Sequence, residues 1–133
     1  MNETPPAVQL LIADDNAATR AATAALLETG PSPVCIWHAV DGVAAVQLAE
    51  QLQPHVVLMD VQMPRLDGIV AAQQIKQRWP EIRVIVQTMY SRYQEQALAA
   101  GADEFLLKGA APAQLLAAVF PASSPPGSRL PKR

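Results

Sequence analysis

Short apolar runs alternate along the chain with longer stretches of helical period. The runs fall at Val8–Ala13, Val34–Ala39, Val56–Met59, Arg83–Gln87 and Phe105–Leu107. Segments such as Val56-Val57-Leu58-Met59 are apolar throughout instead of alternating with polar residues, the pattern expected of strands covered by helices on both faces. The stretches Ala17–Glu28, Val43–Leu52, Ile69–Trp79, Gln94–Ala100 and Ala113–Phe120 are rich in Ala, Leu, Gln and Glu, and these are the predicted helices. Gly30, Pro54, Pro80 and Gly101 stand at or just past the places where helices stop. The pattern predicts an α/β domain of five βα units. Right-handed crossovers make such a sheet parallel and doubly wound, with strand order 2-1-3-4-5 the common solution at this size. Ligands then bind beyond the carboxyl ends of the strands.

Length and composition narrow the picture without redrawing it. At 133 residues and 50% hydrophobic, the chain has the material for one core. Residues 8–120 are expected to form the domain, with 1–7 an N-terminal extension. From Pro121 the sequence reads PASSPPGSRLPKR, the composition of a flexible basic tail or a truncated linker. The formal charge is −2, but Arg129, Lys132 and Arg133 are three of the ten basic residues. The body is therefore acidic, which argues against direct nucleic-acid binding by this segment. Cys35 is the only cysteine and cannot form an internal disulfide; it is expected to be a small buried hydrophobe. Trp37 and Trp79 read as packing residues, and His38 lies in the second strand away from any acidic edge. No stretch approaches the roughly 20 apolar residues of a membrane span, and the N-terminus has no secretory pattern. A cytoplasmic location without membrane contact is the expectation.

The candidate chemistry stands at the strand ends. Asp14 and Asp15 follow the first apolar run, Asp60 the third, Thr88 the fourth and Lys108 the fifth. In the order 2-1-3-4-5 all of them converge on one cleft. Three carboxylates packed together repel unless a positive charge joins them. A hard cation with oxygen ligands fits, and Mg²⁺ suits a site with few protein carboxylates and a phosphate partner, with Mn²⁺ as a substitute. His38, His55 and Cys35 have no spacing suited to zinc or copper. A carboxylate beside such a cation can accept a phosphoryl group in line, with catalysis mostly a matter of positioning and charge neutralisation.

Ile12-Ala13-Asp14-Asp15-Asn16, Leu58-Met59-Asp60-Val61-Gln62-Met63-Pro64-Arg65-Leu66-Asp67-Gly68, Thr88-Met89-Tyr90-Ser91 and Gly101-Ala102-Asp103-Glu104-Phe105-Leu106-Leu107-Lys108 follow in an order and spacing that resemble the receiver domains of response regulators. The resemblance covers roughly residues 8–120. It implies a flavodoxin-like, CheY-like (βα)5 domain that accepts a phosphoryl group on Asp60 from a histidine kinase or phosphotransfer protein. It further implies Asp15 and Asp60 as direct metal ligands, Asp14 as a helper, the Gln62 backbone carbonyl as another ligand, and Lys108 as the phosphate-binding lysine. Thr88 and Phe105 are the implied switch pair, altering the surface of the fourth helix, fifth strand and fifth helix (α4-β5-α5), which is also a candidate homodimer face. Gln62 and Tyr90 are the implied rate-tuning positions. For Tyr90 two readings stand: a shield against attacking water, or a surface aromatic covering the fourth helix. Met63-Pro64 and Asp67-Gly68 are expected to shape the loop after Asp60, the glycine by permitting a positive φ.

Thr88-Met89-Tyr90-Ser91 and Leu106-Leu107-Lys108-Gly109-Ala110 are most similar to the receivers of LuxR/NarL-type regulators, which carry a DNA-binding domain. Where many relatives have proline after the lysine this chain has Gly109, so a trans junction is expected. Whether the chain is a fragment of a DNA-binding regulator or a stand-alone receiver is left open. Two other functions compete with the switch: an aspartyl-phosphate phosphatase or phosphotransferase, and a phosphate-independent interaction domain. The enzymes carry a second acid two residues after the nucleophile, where this chain has Gln62. The presence of Asp14, Asp15, Asp60, Thr88 and Lys108 argues against lost chemistry. A switch that catalyses only its own phosphorylation and dephosphorylation is the expected function.

Overall fold

In a computed structural model, residues 7–121 are described; the expected extension and basic tail lie outside them except for Ala7 and Pro121. The strands are β1 (Val8–Ala13), β2 (Val34–Ala39), β3 (Val56–Asp60), β4 (Arg83–Thr88) and β5 (Glu104–Leu107), and the helices are α1 (Ala17–Leu27), α2 (Gly42–Leu52), α3 (Gly68–Arg78), α4 (Gln94–Ala99) and α5 (Pro112–Val119). A single 3₁₀ turn, Ser91–Tyr93, leads into α4. All five strands are parallel, in the order β2-β1-β3-β4-β5.

The period-2 geometry of the strands divides their buried residues between two cores. Leu11, Ala13, Val57, Met59, Val84 and Val86 face one layer, against Ala45 and Ala49 of α2, Ala71, Ala72 and Ile75 of α3 and Ala97 of α4. Leu10, Ile12, Val56, Leu58 and Ile85 face the other, against Leu27 of α1 and Leu115, Ala118 and Val119 of α5. The alanines at the helix–sheet contacts allow α2 and α3 to lie close to the sheet and to each other. Trp37 and Trp79 pack against the first core, as expected.

Cys35 departs from its expected burial, because it is exposed on β2, the edge strand. An edge strand has a neighbour on one side only, and the level of Cys35, paired with Gln9, is not covered. His38 is likewise exposed on β2.

Three strand-to-helix turns on the carboxyl edge are closed by the same device. Asn16 accepts from Thr19 N at 2.8 Å, Asp41 from Ala44 N at 2.8 Å, and Asp67 from Ile69 N and Val70 N at 2.8 and 3.1 Å, satisfying first-turn amides that have no partner within the helix. At the opposite edge, Lys76 ends among three acceptors: Pro80 O and Ile82 O at 2.8 Å and Asp103 Oδ2 at 2.9 Å. That carboxylate oxygen also accepts from Val84 N at 2.8 Å, so α3 is tied to the starts of β4 and β5. All peptide bonds among the described residues are trans, including the Lys108–Gly109 junction, where Gly109 has φ +90°.

Candidate phosphorylation site

The strand register brings the expected residues to one edge. Asp14 N donates to Ala39 O at 3.1 Å and Lys108 N to Thr88 O at 2.7 Å, so the chain leaves β1 and β5 still held to its neighbours. Ligand oxygens of Asp14, Asp15 and Asp60 all lie within 4.8 Å of one another. Asp14 is buried, Asp60 half-buried and Asp15 exposed. Lys108 Nζ reaches Asp14 Oδ2 at 2.7 Å and Asp60 Oδ2 at 3.4 Å. The remaining oxygens are occupied from the backbone: Asn16 N donates to Asp14 Oδ1 and Val61 N to Asp60 Oδ1, both at 2.9 Å.

This crowding acts on the charges. Burial pushes the Asp60 carboxyl above the usual aspartate range; the Lys108 charge opposes the rise, the Asp14 charge adds to it, and the Val61 N–H and Lys108 hydrogen bonds oppose it, leaving the net shift upward. Burial pulls Lys108 down, but its hydrogen bond to Asp14 and the charges of Asp60 and Asp14 outweigh that, so its pKa is raised. The donor set contains oxygens alone, in a cluster with more negative than positive charge. It fits a hard divalent cation and offers nothing to a soft one.

Thr88 ends β4 with 1% of its surface exposed. Its Oγ1 accepts from Tyr90 N at 3.4 Å, a bond within its own loop. Phe105 is half-buried against the α2–α3–α4 core and lines a groove of about 470 Å³ beside Ser91, Gln94, Lys108, Gly109 and Gln114. Tyr90 is 41% exposed, and Met89 beside it 66%. Gln62 is exposed, its amide donating to Tyr93 Oη at 3.3 Å.

The loop after Asp60 works differently from its sequence-based expectation. Gly68 has no positive φ; among the described glycines only Gly101 and Gly109 do. Its missing side chain is required because a Cβ there would lie 1.7 Å from Asp60 O, while Gly68 N donates to Val61 O at 2.8 Å. The positive φ in this loop belongs to Arg65, at +71°. Its Nε reaches Asp41 Oδ2 at 3.0 Å, tying the loop after Asp60 to the cap of α2.

Sequence patterns did not single out Arg20, whose Nη1 donates to Asp14 O at 2.7 Å from within α1, nor Asp41, Arg65, Arg92 and Tyr93. Arg20 stands one turn after the cap residue Asn16, the only trace of its role in the sequence. The other contacts join separate loops and leave no periodic signal.

A doubly wound sheet with three carboxylates and a lysine gathered at its carboxyl edge defines a class, the phosphate-controlled α/β switch domain. Residues 10–120 match the model of the response regulator receiver domain, so the chain belongs to that family, the phosphorylation-controlled module of two-component systems. It is 36% identical over 118 residues to the transcriptional regulatory protein LiaR of Bacillus subtilis, covering 87% of this chain and 56% of LiaR. It is 34% identical over 115 residues to the oxygen regulatory protein NreC of Staphylococcus carnosus, covering 84% and 53%. The chain thus spans about half the length of these curated relatives. Among solved structures, the signal receiver domain of a NarL response regulator from Mycobacterium tuberculosis superposes with a TM-score of 0.82 at 29% identity, over 90% of this chain and 98% of that one.

Proposed function

We propose that Asp60 is the phosphoacceptor and that its phosphorylation by a histidine kinase or phosphotransfer protein sets the signalling state. A carboxylate oxygen of Asp60 attacks phosphorus in line as the donor's N–P bond breaks, leaving an acyl phosphate and an imidazole whose freed nitrogen takes any proton it needs from solvent. The observation that carries this reading is Lys108 reaching Asp14 and Asp60, two members of the three-carboxylate cluster. Lys108 is placed to give its charge to a phosphoryl oxygen once one arrives. Asp14, Asp15, Asp60 and the Gln62 backbone carbonyl would hold Mg²⁺ or Mn²⁺, which when bound neutralises the charge on the transferring phosphoryl oxygens.

Thr88 and Phe105 carry the response. An acyl phosphate offers the Thr88 hydroxyl an acceptor to donate to, whereas in its present loop contact the hydroxyl oxygen accepts from Tyr90 N, and inward movement of Thr88 frees space toward which Phe105 turns. The α4-β5-α5 surface changes accordingly and is the face we assign to a partner or a second copy. Tyr90 and Gln62 flank the mouth and tune the lifetime of the phosphoryl group. Gln62 stands where a phosphatase of this chemistry would need a second acid, which favours a switch over an enzyme that turns over external substrate. The full-length relatives support a DNA-binding effector domain in a longer protein. No described helix is long and apolar enough to cross a membrane; a cytoplasmic site of action is part of the proposed reading.

Incubation with acetyl phosphate and Mg²⁺ followed by intact-mass measurement tests the acceptor. The expected result is a gain of one phosphoryl group that Asp60→Asn abolishes. No gain with either Mg²⁺ or Mn²⁺ would overturn the reading.

A further inference from the structure

One side-chain assembly bridges two loops at the mouth of this site and serves no helix cap. The Arg92 guanidinium lies against both rings, 4.5 Å from the centroid of Tyr90 and 4.8 Å from that of Tyr93. The rings themselves meet edge to face, 6.3 Å apart at 72°. Arg92 Nη2 donates to Tyr93 Oη at 3.3 Å, and Gln62 Nε2 donates to the same oxygen at 3.3 Å. The Gln62–Tyr93 contact joins the loop after Asp60 to the turn after Thr88 across 31 residues of sequence.

We infer that Tyr93, braced by Arg92, is a positioning residue for Gln62, and that this bridge lengthens the life of the acyl phosphate. The inference rests on Asp60 being the acceptor. Gln62 is exposed and has three rotatable side-chain bonds, so without a partner its amide samples many positions two residues from the acceptor. Tyr93 has two rotatable bonds and a ring half-buried against the α2–α3–α4 core, which makes its hydroxyl a fixed point. The stacked Arg92 holds that ring from the solvent side. Held to Tyr93, the Gln62 amide spans the gap between the two loops.

Hydrolysis needs that gap. A water oxygen must bond to phosphorus from the side opposite Asp60 while the bond from phosphorus to the Asp60 oxygen breaks; the carboxylate is restored, and phosphate leaves with the water's protons shared between it and solvent. A strap of side chains between the loops narrows the approach, and either Tyr93→Phe or Gln62→Ala removes it.

The test is a double-mutant cycle on phosphoryl lifetime. Wild type, Tyr93→Phe, Gln62→Ala and the double variant are labelled with acetyl phosphate and Mg²⁺, the donor is removed, and loss of the phosphoryl group is followed by intact mass. Tyr93→Phe is expected to shorten the lifetime about threefold to tenfold, the range of one modest hydrogen bond. Gln62→Ala, which keeps the backbone carbonyl, shortens it similarly, and the double variant shortens it no further. A lifetime in Tyr93→Phe equal to or longer than wild type, or effects that multiply in the double variant, would overturn the bridge. A general structural effect of Tyr93 would persist in the Gln62→Ala background, so the cycle separates it from positioning. Wild type that labels normally while Tyr93→Phe hydrolyses at the same rate sinks this inference alone; wild type that never labels sinks the acceptor reading beneath it.

Discussion

Asp60 shows how one residue can be costly to the fold and central to the site. Its pKa is raised by burial against the opposing pull of Lys108. A carboxyl whose folded pKa lies above its unfolded value supports folding below about pH 4 and loses that support as pH rises through the folded value. At neutral pH the charged Asp60 is therefore a net cost in the metal-free protein. Asp60→Asn should raise the metal-free melting temperature at pH 7, and the gain should vanish on acidification below the ordinary aspartate pKa; thermal melts across that range check the sign, and a gain that persists at low pH contradicts it. Arg65 carries a different strain. Its φ of +71° is a conformation in which side-chain-bearing residues lose about 1–2 kcal/mol, offset only in part by the solvent-screened ion pair with Asp41. Arg65→Ala and Arg65→Gly both remove the pair, but only glycine relieves the backbone. The glycine variant should be the more stable by about 1 kcal/mol in chemical denaturation. Neither residue's burden could be read from its neighbours in sequence, whereas the caps Asn16, Asp41 and Asp67 belong to residue types that favour that position.

Among the elements, agreement with the periodicity is close because the central strands β1, β3 and β4 are buried on both faces and each long helix on one. β1 and β2 occupy the expected runs, β3, β4, β5, α1, α2 and α4 differ by one residue at one end, and α3 and α5 are shifted by one residue at both. The start of α4 is less regular: Ser91–Tyr93 forms a tight turn that places Arg92 and Tyr93 beside Tyr90. The close approach of α3 to the end of β3 explains Gly68. Gly68→Ala would drive a methyl group into Asp60 O, and a loss on the order of 1–3 kcal/mol in unfolding free energy is expected. On the opposite edge Lys76 joins three elements with its side chain 15% exposed. Lys76→Met keeps the aliphatic stem but leaves Asp103 and two carbonyls short of a donor, so it should lose about 2–3 kcal/mol while phosphorylation by acetyl phosphate stays near the wild-type rate. A variant that fails to label despite remaining folded would mean the two sheet edges are coupled.

For the whole molecule, a cation held by the carboxylate cluster would add to global stability. A cation that binds only the folded state stabilises it by about 2.7 kcal/mol at a hundred times its dissociation constant. Mg²⁺ should thus raise the melting temperature by several degrees in a saturable way, and Asp15→Asn should lose most of that rise. An equal response in the variant would place the ion elsewhere. The alternation of apolar runs and helical stretches determined the layered α/β class, and the residues ending each run determined where to look for chemistry, because a fully buried strand must be apolar until it reaches solvent. Asp14, Asp15, Asp60, Thr88 and Lys108 were legible for that reason. Tertiary structure alone decided that Lys108 bridges Asp14 and Asp60, that Arg20 holds the Asp14 carbonyl, that Gly68 serves close approach, that Cys35 faces solvent, and that Tyr93 meets Gln62. Periodicity reports which face of an element is buried, but not which loops meet once the sheet has twisted and its crossovers have closed, and the contacts at this mouth are all of the second kind.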